Sequence, residues 1–99
     1  MQNKYYVYIL TNKYRTTLYI GFTNNIQNRL SQHYFDSQND KKSFAGKYNC
    51  INLVYYQIFE SPKPGIEREK QLKKWRREKK NKLIYDFNPN WESLNNQIF

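Results

Sequence analysis

Apolar positions in this chain follow a strand-like period at first and a helical one later. Residues 5–10 read Tyr-Tyr-Val-Tyr-Ile-Leu, a β-branched and aromatic run that predicts a strand. Thr11 to Thr17 is polar and turn-like, and Leu18-Tyr19-Ile20-Gly21-Phe22 predicts a second short strand. Two strands this close in sequence pair as an antiparallel hairpin. Thr23-Asn24-Asn25 offers N-cap chemistry for a helix from Ile26 to about Phe35. Asp36 to Gly46 reads as a polar loop and Ile51 to Phe59 as the third strand. Ser61-Pro62-Lys63-Pro64-Gly65 breaks that strand, and a second helix is expected from Ile66 to about Asp86, with an interruption near Asn81. Asn88-Pro89-Asn90-Trp91 is a turn before a short tail. The order β-β-α-β-α predicts an α+β fold, a three-stranded antiparallel sheet flanked by helices, with residues 1–99 as one domain.

Several polar residues fall where these patterns place apolar ones. In the second helix Ile66, Leu72, Trp75 and Leu83 define an apolar arc; Glu69 lies inside it, whereas Glu67 and Glu78 lie on the opposite, basic side. A carboxylate on a packing face must be paired, protonated or bound to a metal. Two readings stand: an ion pair with Arg29 or a neighbouring Lys, or a ligand for a hard divalent cation. In the first helix Arg29 and His33 share a face with Ile26 and Leu30. His33, the single histidine, reads either as a hydrogen-bonded core residue or as a proton acceptor near neutral pH. Arg29 carries a planar fork suited to phosphate oxygens. Tyr8 and Tyr19 lie on neighbouring strands, where tyrosines commonly serve packing alone. Gly21 inside a strand marks a close backbone approach just beyond Tyr19.

Composition narrows the partners. Net charge is +9, and aromatic residues make up 18% of the chain, so a folded domain with a polyanionic partner is expected, nucleic acid above all. Nine Lys/Arg fall in the fifteen residues from Arg68 to Lys82; Lys70, Lys73, Lys74, Arg76, Arg77 and Lys80 are the candidate contacts to a DNA backbone. A charge run of this kind is also what a solvated helix face looks like. The single cysteine, Cys50, rules out a disulfide framework and a Cys-based zinc cluster and reads as a small core residue. The N-terminal apolar run is too short and polar for a signal peptide or membrane span, so a cytoplasmic location without membrane attachment is expected. No Ser-His-Asp or Cys-His set, GxGxxG or P-loop is evident. Asp36 and Asp40, in the polar segment, are discounted as a glycosidase-type pair.

In these residues the chain resembles the GIY-YIG nuclease superfamily, including the N-terminal nuclease domain of the UvrC repair protein. The second motif is intact as Tyr19-Ile20-Gly21; the first is degenerate, with Tyr6-Val7-Tyr8 in place of Gly-Ile-Tyr and its tyrosine kept as Tyr8. Arg29 fits the downstream arginine, His33 the histidine four residues later, Glu69 in IEREKQLKKW the metal-binding glutamate, and Asn88 in NPNW the late asparagine, with Asn81 and Asn90 as rivals. The likeness extends over nearly the whole chain and is closest to small single-domain bacterial members that end in a similar segment.

The resemblance implies a DNA endonuclease in which Glu69 holds one Mg²⁺ or Mn²⁺, Tyr8 with His33 takes a proton from the attacking water, and Arg29 neutralises charge building on phosphorus. Tyr19 would position phosphate or water, and Asn88 would support the site. Tyr8 in that role needs a pKa well below about 10, and the metal and nearby cations would push in that direction. The chain lacks the additional DNA-binding domain of homing endonucleases, so a protein partner supplying specificity fits the pattern. Two other readings stand beside the nuclease: a nucleic-acid-binding module of the same fold that does not cut, and a basic structural domain that meets a protein or an anionic surface.

Overall fold

The computed structural model describes residues 4–39 and 47–99. Strand β1 (Tyr5–Thr11) is central, flanked by β2 (Leu18–Thr23) and β3 (Asn52–Phe59) in the order β2-β1-β3, all antiparallel. Helix α1 (Ile26–Asn39) follows β2; helices α2 (Pro62–Lys74) and α3 (Arg77–Phe87) follow β3, and a 3₁₀ turn at Asn95–Gln97 ends the chain. The α+β architecture and the antiparallel sheet are those the sequence predicts.

Because successive strand residues face opposite sides, the sheet separates two cores. Val7, Ile9, Ile20, Val54 and Tyr55 meet Leu72 of α2 and Ile84 of α3 on one face. Tyr8, Leu10 and Leu53 meet Ile26 and Leu30 of α1, together with Cys50 and Leu94, on the other. Leu72 is fully buried, so truncation to Ala would cost ~2–5 kcal/mol. Burial pushes the Cys50 thiol up to about 11, as befits an inert core residue.

The hairpin loop is held by one side chain. Asn12 Oδ1 accepts from the backbone N–H groups of Thr16 (2.8 Å) and Thr17 (3.2 Å), while its Nδ2 donates to Thr16 Oγ1 at 2.7 Å. The expected capping of α1 is made by Asn25, whose Oδ1 accepts from the N–H of Asn28 at 3.1 Å. The C-terminal segment pairs with the start of β3: Leu94 N–H donates to Leu53 O (2.7 Å), and the Asn95 amide accepts from Leu53 N–H and donates to Ile51 O.

Element boundaries depart from the sequence reading in three places. Helix α1 continues to Asn39, so Asp36 is helical; it accepts from Gln32 one turn earlier. The rest of the expected loop, Asp40 to Gly46, lies outside the described residues. The second helix starts four residues earlier than expected, because Pro62 is favoured in a first helical turn. It then ends at Lys74, not near Asn81: Trp75 and Arg76 are extended (ψ 151° and 155°), which lets both Leu72 and Ile84 reach the same core. Trp75 packs on that core with Arg68 and Lys79 over its ring. Ile66, placed in the apolar arc by the helical wheel, is 36% exposed. Gly65 takes the inward position instead, and a Cβ there would come within 2.7 Å of the Phe22 ring.

Candidate active site

Tyr8 stands on the α1 face of the central strand, opposite Gly21 of β2. Tyr19 sits across from Leu10, one residue pair along the same face. Helix α1 brings Arg29 and His33, one turn apart, over these phenols. The Tyr8 hydroxyl lies 3.0 Å from His33 Nε2. The Tyr19 ring meets the His33 ring edge-on, with centroids 4.8 Å apart.

Burial sets the protonation of this group. His33 is held down to about 4, first by loss of solvation and then by the Arg29 charge, with Asp36 opposing weakly. At neutral pH the imidazole is therefore uncharged, and in its Nδ1-protonated tautomer Nε2 accepts from the Tyr8 hydroxyl. Tyr8 itself is pushed up to about 12 by burial, which outweighs the favourable Arg29 charge beside it. Arg29 pushes Tyr8 in the expected direction, downward, but desolvation of the phenolate outweighs it. Arg29 is raised by its contact with Tyr8 and stays charged. Its Nε–H is buried and has no hydrogen-bond partner among the described residues. A buried donor left unpaired costs about 1–3 kcal/mol, which an incoming anion can restore.

Residues 4–83 match the GIY-YIG catalytic domain. The chain belongs to the GIY-YIG family. Within it, the chain is similar to a UPF0213 protein of Natronomonas pharaonis, 33% identical over 87% of this chain and 96% of the relative. A UPF0213 protein of Clostridium perfringens is 35% identical over 80% and 81% of the two chains. The fold is similar to the solution NMR structure of a UPF0213 protein from Bacillus halodurans, with a TM-score of 0.52, 27% identity and 82% of each chain covered.

The remaining candidate residues of this GIY-YIG domain stand outside the Tyr8–His33 group. Glu69 lies on α2, whose Leu72 packs on the opposite sheet face. Its side chain is 19% exposed and forms an ion pair with Lys73 at 3.4 Å, the neighbouring-lysine alternative of the sequence reading. Arg68, its neighbour on α2, donates to Gln57 of β3 at 3.3 Å. Asn88 lies beyond the residues matched to the family and caps α3. Its buried amide donates to Val54 O (3.2 Å) and Glu92 O (2.8 Å) and accepts from Glu92 N–H (3.2 Å), a staple between helix, sheet and tail. Asn81 accepts from Arg77 within α3, and the Asn90 carbonyl accepts from Arg15.

Among the described residues, no three His, Cys, Asp or Glu side chains come together as a metal-binding group. One half-buried carboxylate suits a hard ion that keeps water and substrate oxygens in most of its coordination positions, as Mg²⁺ does. Of the candidate DNA contacts, Lys70, Lys73, Lys74, Arg76 and Arg77 are exposed and Lys80 is half-buried. The Arg77 guanidinium is used within the protein: it donates to Thr16 O and Arg15 O, both at 2.9 Å, and so ties α3 to the hairpin loop. The pattern of charge had no means of separating Arg77 from the cations beside it, because the loop carbonyls it holds are 61 and 62 residues away in sequence. No helix among the described residues is long and apolar enough to cross a membrane.

Proposed function

We propose that this protein is a metal-dependent DNA endonuclease that hydrolyses phosphodiester bonds in the cytoplasm, in repair, recombination or processing of branched or single-stranded DNA. The observation that carries this reading is the Tyr8–His33 hydrogen bond beside Arg29, whose buried Nε–H has no partner among the described residues. A phosphate drawn to Arg29 changes the protonation balance of that pair. Cancelling the Arg29 charge raises the His33 pKa and the Tyr8 pKa alike, because Arg29 lowers both, so Tyr8 acts as a relay that passes one proton on as it takes another and not as a free phenolate. His33 then accepts the Tyr8 proton, and the phenol oxygen takes a proton from the attacking water. Arg29 also meets the charge that develops on the phosphorane oxygens. Tyr19, packed on His33, fixes the imidazole plane.

Glu69 would hold the divalent ion, Mg²⁺ or Mn²⁺, which when bound supplies charge neutralisation at the scissile phosphate and its leaving oxygen. Lys70, Lys73, Lys74 and Arg76 present exposed cations for the DNA backbone, and a protein partner would add target specificity. The test is a cleavage assay on plasmid, single-stranded and branched DNA with Mg²⁺, Mn²⁺ or EDTA, comparing the wild type with Glu69→Gln. Cleavage in Mg²⁺ that is lost in EDTA and in the variant supports the reading; cleavage unaffected by either overturns it.

The Glu69–Lys73 pair favours a second reading, a nucleic-acid-binding module of the same fold that does not cut. Salt-sensitive DNA binding without cleavage under any metal condition would support that module over the nuclease.

A further inference from the structure

A second feature of the surface is built from aromatic and cationic side chains with no part in the Tyr8–His33 group. The hairpin loop and the segment before β3 enclose an open cleft of about 420 Å³, lined by Lys13, Tyr14, Tyr48, Asn49, Ile51 and Asn52. Its size falls in the range of small-ligand clefts, ~300–1,000 Å³. Tyr14 is 75% exposed and Tyr48 40% exposed, and both line this one cleft. Each carries a lysine ammonium over its face: Lys13 Nζ is 5.6 Å from the Tyr14 centroid and Lys47 Nζ is 5.3 Å from that of Tyr48.

The fold holds these rings out deliberately. Asn12 fixes the loop from inside, as described above, and Arg15 adopts a left-handed conformation (φ 59°). The Arg15 guanidinium donates to Asn90 O at 3.1 Å, and Arg77 holds the Arg15 and Thr16 carbonyls from outside. Asn49, also left-handed (φ 56°), turns the chain so that Tyr48 points outward while Cys50 is buried. A loop tied by this many hydrogen bonds loses little further freedom when a ligand meets Tyr14.

We propose that this cleft is a stacking platform for unpaired bases of the DNA strand, with Tyr14 and Tyr48 as the ring surfaces and Lys13 and Lys47 as contacts to the flanking phosphates. Aromatic rings beside lysines are the chemistry that holds single strands without regard to sequence, because every base offers a π-face. A duplex hides those faces, so the platform selects single-stranded segments. The position suits the reaction, a point that rests on the nuclease reading. Thr11, at the loop end of β1, is three residues from Tyr8, about 10 Å along the strand. That is on the order of three stacked nucleotides. The cleft thus lies just past the loop end of the strand that carries Tyr8, so a single strand running along β1 from Tyr8 would meet it.

The experiment measures binding in EDTA, so it does not depend on cleavage. A fluorescent oligo-dT strand and a fully paired hairpin duplex are titrated with the wild type, with Tyr14→Ala/Tyr48→Ala and with Tyr14→Phe/Tyr48→Phe, each checked for fold by circular dichroism. The expected result is a loss of about 10-fold or more in oligo-dT affinity for the Ala variant, with near-wild-type affinity for the Phe variant and unchanged duplex binding in both. Equal losses on both probes, or no loss on oligo-dT, would overturn the platform. Either outcome leaves the Glu69→Gln cleavage test of the nuclease reading untouched.

Discussion

The Tyr8 phenol lies directly against the backbone of Gly21: a Cβ built on Gly21 would fall 2.4 Å from the Tyr8 hydroxyl oxygen. The two residues face each other in the β1–β2 register, so the space vacated by one side chain is filled by the other. This contact aims the hydroxyl at His33. Gly21→Ala is expected to displace Tyr8, break the 3.0 Å hydrogen bond and destabilise the fold by ~1–3 kcal/mol. Urea denaturation measures the stability change, and a cleavage rate equal to wild type would show that the contact does not position Tyr8.

Tyr8→Phe isolates the hydroxyl from the packing. The ring remains buried and only one hydrogen bond is lost, so stability should fall by ~0.5–1.5 kcal/mol, somewhat more if His33 Nε2 finds no other donor. Cleavage should fall by ~10²-fold or more, as for removal of a positioned acid–base group. A loss confined to KM would place Tyr8 in DNA binding and not in proton transfer.

The strand pairing, the two faces of the sheet and the inward turn of Arg29 and His33 were legible because they follow from periods of two and of 3.6 residues. Gly21 signalled a close approach, although not that Tyr8 makes it. The break at Trp75–Arg76 was hidden: nothing in the local propensity of LKKWRREKK opposes a continuous helix, and only the need to bury Leu72 and Ile84 in one core interrupts it. Ile66 misled for a related reason, since Gly65 lets α2 approach Phe22 and Phe59 so closely that the glycine itself faces the sheet. The protonation of Tyr8 was equally illegible. Charge can be counted from sequence, but the burial that overrides it belongs to the tertiary structure.

His33 gives stability a pH dependence of definite sign. Its folded pKa of about 4 lies below the ordinary histidine value of 6.5, so the unfolded chain binds the extra proton first. The contribution is complete above about 6.5 and is lost as pH falls toward 4, with a magnitude on the order of 3 kcal/mol. Denaturation midpoints taken from pH 7.5 to pH 4.5 should fall for the wild type and fall less for His33→Gln. Parallel curves for the two proteins would assign the acid sensitivity to other groups.

Arg77 and the exposed lysines should respond differently to removal. Arg77→Ala releases the Arg15 and Thr16 carbonyls to water, and a loss of about 0.5–1.5 kcal/mol in stability is expected with little change in the salt slope of DNA binding. Lys70→Ala and Lys74→Ala remove exposed charges, so each should leave stability within about 0.5 kcal/mol and lower the salt slope by about one. A reduced slope for Arg77→Ala with unchanged stability would place that guanidinium on the DNA instead.

Lys73 competes with any cation for the Glu69 carboxylate. The pair is 3.4 Å apart, and the lysine is half-exposed, so its contribution to stability is within about 1 kcal/mol. In the nuclease reading a divalent ion must share or displace that ammonium. Lys73→Ala should then lower the Mg²⁺ concentration for half-maximal cleavage several-fold, because a nearby positive charge has been removed, while weakening DNA binding through the lost phosphate contact. Lys73→Gln keeps the aliphatic stem and should shift the Mg²⁺ dependence in the same direction. The measurement is cleavage rate against Mg²⁺ concentration at saturating DNA, where the binding defect no longer contributes. An unchanged midpoint in both variants would mean that the ion does not bind at Glu69.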